Sequence, residues 1–345
     1  MKVDLAPGGL PPEQVGDLAR AAEAVGFDGL WLAETTHDPF LGAALALDAT
    51  QHLRVGTAVA IAFARSPVSI AQTAFDLARL GHGRFELGLG TQVRGHVQRR
   101  FGMAWSAPAP RLGEWIGAIR AAWSSWQEGA PFRFRSEHLD LSLMSPFFSP
   151  PPLTFAAAPG TAPLRISVAG VGPALARLAG RLANGFHVHP LHTARYLAEV
   201  LEPALQQGEA ERREAGRLER YVPVFLIPDD DPEVRDAVRR QISFYAATPT
   251  YRRVLELHGR VRTGERLSRL AAAGRWAEMP DLVDDELLGA VAVIAPWDGL
   301  ADALGARCAR AAHRVMPLLR FSLAADGAPR DAKRWERLVR ALRTA

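Results

Sequence analysis

Residues 86–102 read ELGLGTQVRGHVQRRFG. An apolar run ends in Gly88 and Gly90, and a basic segment follows. A dinucleotide-binding loop would need Gly-x-Gly-x-x-Gly after the first strand of a doubly wound sheet. Here Val93 stands at the third glycine position, and three strand-like runs come earlier in the chain. The stretch fits better as the end of the fourth strand of a (β/α)8 barrel, where barrel active sites are built. Glycines there let a flat ligand approach the backbone closely. Arg94, His96, Arg99 and Arg100 place positive charge just beyond.

The rest of the chain supports the barrel. Near-continuous apolar runs recur at 2–6, 27–33, 53–61, 84–90, 164–170, 185–190, 221–227 and 289–295. Strands buried on both faces of a parallel sheet read this way. Amphipathic segments at 12–26, 66–81, 109–126, 172–183 and 193–208 alternate with them, and Pro203 predicts a kink in the last. Eight βα units predict an α/β fold, a (β/α)8 TIM barrel, with a doubly wound sheet as the runner-up. The spacing puts insertions after strand 4 (about 130–163, with an alternating run that could form a hairpin) and after strand 7 (about 232–287). The expected organisation is a single domain over 1–325, followed by a C-terminal helical tail at 326–345.

Composition narrows the chemistry. Of 345 residues only Lys2 and Lys333 are lysine, and neither is placed for a Schiff base, so an aldolase of that type is excluded. The single cysteine, Cys308, rules out an intrachain disulfide and a multi-cysteine zinc site. No apolar run is long enough for a membrane span and no secretory leader is visible, so the protein is read as cytoplasmic. The net charge of +4, nearly all from arginine, suits an anionic ligand. Basic runs with interleaved aromatics are missing, which argues against nucleic acid as a partner.

Other strand ends add candidates. Strand 2 is followed by Glu34, His37 and Asp38, and strand 3 by Arg65. The Gly170–Val171–Gly172 turn leads into a helix N-terminus, a geometry that offers amides to a phosphate. Strand 6 brings His187, His189 and His192. Glu34, Phe40, Phe63, Trp105, His189 and His192 are candidate substrate-pocket residues. His187 and His189, two apart on a strand, together with His37 allow a second class, a metal-dependent barrel hydrolase. The rim of the eighth run lacks the carboxylate that such a site needs, and no metal is expected.

In order and spacing, the segments at 26–40, 54–80, 83–123, 168–180, 185–197 and 282–295 resemble the luciferase-like monooxygenase superfamily, and within it the F420-dependent oxidoreductases of actinobacterial type. The resemblance implies a barrel that binds a deazaflavin at the strand C-termini. It implies a non-prolyl cis peptide at Ala58–Val59 backing the ring, with Thr57, Ala58, Val59, Gly90, Thr91, Gln92, Arg94 and His96 around the coenzyme and the phosphate on Gly170, Val171 and Gly172. His37 falls where relatives carry an active-site histidine and is the candidate catalytic residue. The implied activity is hydride transfer between F420, supplied by a separate F420 reductase system, and a small organic substrate, in a homodimer. An FMN-dependent two-component monooxygenase is the nearest alternative, and a non-catalytic cofactor-binding protein is another. Val93 stands where some relatives carry an acid, and Asn184–Gly185 where many have Asp-Gly.

Overall fold

The structure is a computed structural model that describes residues 1–155, 164–213, 216–308, 312–324 and 327–344. Eight parallel strands close into a barrel: β1 (Lys2–Leu5), β2 (Gly29–Leu32), β3 (Arg54–Thr57, resuming at Ala60–Ile61), β4 (Phe85–Gly90), β5 (Arg165–Gly170), β6 (Gly185–Val188), β7 (Glu219–Pro228) and β8 (Arg314–Leu318). Each pairs with the next, and β8 returns to β1 through Arg314 opposite Lys2 and Val315 opposite Val3. The continuous apolar runs are explained by this closure, because an outer ring of helices, α3 (Pro67–Leu80) among them, covers the strands.

The eighth strand is not the expected one. Of the run 289–295, the first part ends the helix Asp285–Val291, and Ala292–Ala295 pairs with Phe225–Pro228 beyond the point where β7 meets β8. The strand that closes the barrel is "RVMPL", 314–318. It contains a charge and a proline, so it does not read as a buried strand. Arg314 is nevertheless 1% exposed, because Asp4 of β1 accepts from its Nη2 and Nε at 2.5 and 2.6 Å.

The expected hairpin in the first insertion is present, with Phe134–Arg135 antiparallel to Asp140–Leu141; the end of that insertion, 156–163, lies outside the described residues. So does the expected domain boundary at 325–326. The helix Ala332–Thr344 buries Trp335, Leu338, Val339 and Leu342 and packs on β1 and on α1 (Pro12–Val25). It therefore serves as the outer helix of the eighth βα unit. The kink before Pro203 appears as a π-turn over Leu197–Leu201, which leads into the helix Glu202–Ala210. Pro203 then lies in the first turn of that helix, where its missing amide costs nothing.

The barrel interior is polar at its N-terminal end. Arg54 and Arg165 both bond Glu219 at 2.6 Å, and Arg165 bonds Glu86 at 2.8 Å. The Tyr221 hydroxyl donates to Glu86 at 2.7 Å. Burial opposes ionisation of Glu219, yet Arg54 and Arg165 outweigh it and hold its pKa at about 2. Above this layer lie Trp31, Tyr221 and Met316, with Ala58 packed on them. The Trp31 indole donates to Asp4 at 2.9 Å. This aromatic layer forms the floor beneath the C-terminal mouth.

Candidate active site at the C-terminal mouth

The site begins where β3 breaks its ladder. Gly56 pairs with Glu86 and Ala60 with Leu89, so four steps along β3 match three along β4. The extra residue makes a bulge, and within it the Ala58–Val59 peptide is cis, as the resemblance implies. Ala58 and Val59 are half-buried, whereas their neighbours Thr57 and Ala60 are fully buried. A Cβ on Gly88 would overlap the Thr57 carbonyl oxygen, and one on Gly90 would overlap the Val59 side chain. The two glycines admit the bulge rather than a phosphate.

Thr57 is fully buried. Its hydroxyl donates to the Gly88 carbonyl at 2.6 Å and accepts from the Gly88 amide at 2.9 Å. Glu34 also has a structural task. Its carboxylate accepts from the Ile61 amide and from Arg65 Nη1, both at 2.7 Å, while Arg65 Nη2 reaches Asp38 at 2.8 Å. Asp38 caps α2 (Pro39–Ala49) by accepting from the Phe40 and Leu41 amides. Glu34, Arg65 and Asp38 thus clamp both ends of the loop that carries half-buried His37, and the loop starts at the bulge, where the Glu34 amide donates to the Val59 carbonyl at 3.2 Å.

The next strand around the barrel, β4, ends in Gly90 and buried Thr91. Gln92 follows at φ 56° and accepts from the Val93 amide at 2.9 Å. Helix α4 (Arg94–Arg99) presents Arg94, His96 and Arg99 to solvent, and Arg100 behind it donates to the Thr35 carbonyl at 3.0 Å. One strand further, β5 ends at Gly170–Val171–Gly172, and Gly172 caps α6 (Pro173–Leu182). Sequence reading missed two residues here. The Tyr196 hydroxyl donates to the Val171 carbonyl at 3.0 Å, and the Arg253 guanidinium lies 2.6 Å from where a Gly172 Cβ would stand. Burial pushes the Tyr196 phenol up to about 12, against the pull of nearby Arg253. Arg253 comes from the insertion after β7, so spacing alone gave no signal for it.

Several expected pocket residues belong to the core instead. Phe63 is fully buried, edge-on to Trp115 and beneath the Arg111 guanidinium. Phe40 is buried under Arg65. Their positions beside strand ends suggested pocket walls, but Phe40 lies on the buried face of α2, and Trp115 of α5 (Pro108–Glu128) packs on Phe63. Trp105 is half-buried and packs on the same core. His192 is buried, and its Nδ1 donates to the His189 carbonyl at 3.0 Å. His189 is half-buried between Tyr245 and Tyr251, with its Nδ1 accepting from the Leu191 amide.

The strand-6 histidines are neutral. His187 is stacked on Tyr221 at 4.3 Å in the barrel interior with Nε2 3.0 Å from Ser167 Oγ, and burial lowers its pKa to about 4. Burial takes His189 to about 3, helped by His192, and takes His192 to about 4, helped by Arg307. Among the described residues the one group of three ligating side chains within 4.8 Å of one another is Glu114, Glu137 and His138, on α5 and the outer hairpin. His37, His187 and His189 therefore do not form a ligand set. No helix among the described residues is long and apolar enough to cross a membrane.

Comparison with known proteins agrees with this geometry. The chain is 42% identical over 318 residues to an uncharacterised protein of Mycobacterium tuberculosis, covering 90% of this chain and 92% of that one. It is 29% identical over 254 residues to the F420-dependent glucose-6-phosphate dehydrogenase of Nakamurella multipartita, covering 68% and 69% of the two chains. Its fold matches the coenzyme F420-dependent tetrahydromethanopterin reductase of Methanopyrus kandleri with a TM-score of 0.75 at 16% identity, over 100% and 98% of the chains. The luciferase-like monooxygenase profile matches residues 2–314, and the chain belongs to that family.

Proposed function

We propose that this protein is a cytoplasmic, homodimeric F420-dependent oxidoreductase acting on a small organic substrate. The observation that carries the reading is the Ala58–Val59 platform. It is a half-buried surface on an otherwise buried strand, set between the His37 loop of β2 and the glycines that end β4. The residues fit the coenzyme part by part. The platform suits a flat ring. The α6 amides at Gly172, with Arg253, suit a phosphate. Exposed Arg94, His96 and Arg99 suit an acidic tail beyond the phosphate. FMN ends at its phosphate and would leave those cations without a ligand, which favours F420. The F420-dependent relative points the same way.

When bound, F420 would carry the hydride to or from the substrate, and a separate F420 reductase system would restore its redox state. The chain's own residues orient the ring and handle the proton. His37 exchanges the proton that accompanies the hydride, since an imidazole carries both a donor and an acceptor nitrogen. The Glu34–Arg65–Asp38 clamp holds the His37 loop in place. The test is His37→Gln on a substrate found by screening. The expected result is at least a tenfold fall in kcat with coenzyme Kd within about threefold. An unchanged kcat would remove His37 from the proton step.

A further inference from the structure

At the N-terminal mouth, opposite the proposed active site, a second cleft of about 490 Å³ opens between the strand starts. Its lining includes Lys2, Arg54, Arg84, Arg165, Arg314 and Arg343, with His52 and His82 at the edge. Most of these cations are neutralised locally. Arg54 and Arg165 share Glu86 and Glu219, Arg314 grips Asp4, and Arg343 reaches Asp28 at 2.9 Å. Glu23, also in the lining, is engaged by the backbone amides of Gln51, His52 and Leu53.

Two charges stand apart. Arg84 donates only to neutral acceptors, the carbonyls of Leu47, Thr50 and Leu53 and the Thr50 hydroxyl. The Lys2 ammonium, one of two in the chain, has no ion pair among the described residues. Its pKa is lowered by burial and by Arg314 and Arg54, against the opposing pull of Glu219 and Asp28.

We propose that this cleft is an anion site for a small phosphate-type dianion, held by the Lys2 ammonium beside the Arg84 guanidinium. The Lys2 ammonium supplies mobile donors, and Arg84, whose own donors are spent on neutral acceptors, adds charge that no hydrogen-bonded acid cancels. The volume exceeds that of a bare phosphate, so a phosphomonoester with a small organic group fits as well. The barrel interior separates this cleft from the α6 N-terminus, so the two phosphate sites are independent.

The test is calorimetric titration with inorganic phosphate at constant ionic strength. Arg253→Met serves as the background, to remove the contact at the opposite mouth. Saturable phosphate binding is expected in that background, weakened at least tenfold by Lys2→Glu or Lys2→Met and retained within threefold by Lys2→Arg. Lys2 is exposed, so these variants are expected to fold, and circular dichroism checks it. Glycerol 3-phosphate distinguishes the ligand sources. Tighter binding than phosphate supports an organic phosphate in the cleft, and equal binding supports the free ion. Identical isotherms for Lys2→Glu and its parent, or no saturable binding in the Arg253→Met background, would overturn the proposal.

Discussion

The platform's support can be tested through Thr57. In the β3–β4 ladder the Val55 amide donates to the Arg84 carbonyl at 3.0 Å, and Val55 and Gly56 pair with Phe85 and Glu86. Bonding residues alternate along a parallel strand, so Gly88 is next in line, and there the bulge removes its backbone partner. The Thr57 hydroxyl supplies both missing bonds and is fully buried. Thr57→Val preserves shape and removes the hydroxyl, leaving a buried donor and a buried acceptor unpaired. At about 1–3 kcal/mol for each group, the loss should be about 2–6 kcal/mol. Thr57→Ser keeps both bonds and deletes one methyl group, a loss of about 1 kcal/mol. Urea unfolding followed by tryptophan fluorescence compares the two at equal m-value. A Thr57→Val protein as stable as Thr57→Ser would refute the claim that the hydroxyl replaces the ladder.

Other expectations follow from the same geometry. Gly88→Ala places a Cβ against a backbone carbonyl that cannot rotate away, so it should cost more than about 3 kcal/mol, at the upper end for overpacking; a melting shift under 2 °C would contradict the packing. Gly90→Ala meets only the Val59 side chain, so thermal melts should show a smaller loss while coenzyme titration shows weaker binding. His187 titrates near 4 when folded and near 6.5 when unfolded, so the unfolded chain binds more protons between those values. Stability should therefore fall as pH drops through that window, by about 2 kcal/mol from pH 7 to 5 for this residue, and His187→Phe should flatten the dependence in urea titrations at the two pH values. Arg253→Met should weaken a phosphate-bearing coenzyme about tenfold, as for a charge-assisted hydrogen bond, read by equilibrium titration.

How much of this was legible in sequence depends on the kind of signal. Near-continuous apolar runs separated by amphipathic helices pointed to the barrel, because strands buried on both faces must be apolar regardless of detail. The closing strand escaped because its interior position is filled by Arg314, whose burial only the distant Asp4 makes tolerable. The glycine pair before α4 was located correctly, but its reason lies in a bulge on the neighbouring strand. Phe40 and Phe63 looked like pocket walls from their place after strand ends; whether a ring faces core or cleft depends on which helix covers it. Arg253 comes from an insertion whose path no local pattern fixes, and Lys2 was set aside as unfit for a Schiff base, although its place at the mouth of a cleft without a close ion pair was the informative feature.

Equilibrium titration of the purified protein with oxidised F420 and, separately, FMN decides between the two coenzymes. Saturable F420 binding at least tenfold tighter than FMN is expected, weakened by loss of Arg94 or Arg253. Tighter binding of FMN would contradict the deazaflavin reading and favour a monooxygenase served by a flavin reductase. Binding of neither would contradict the assignment of the Ala58–Val59 platform as a ring site.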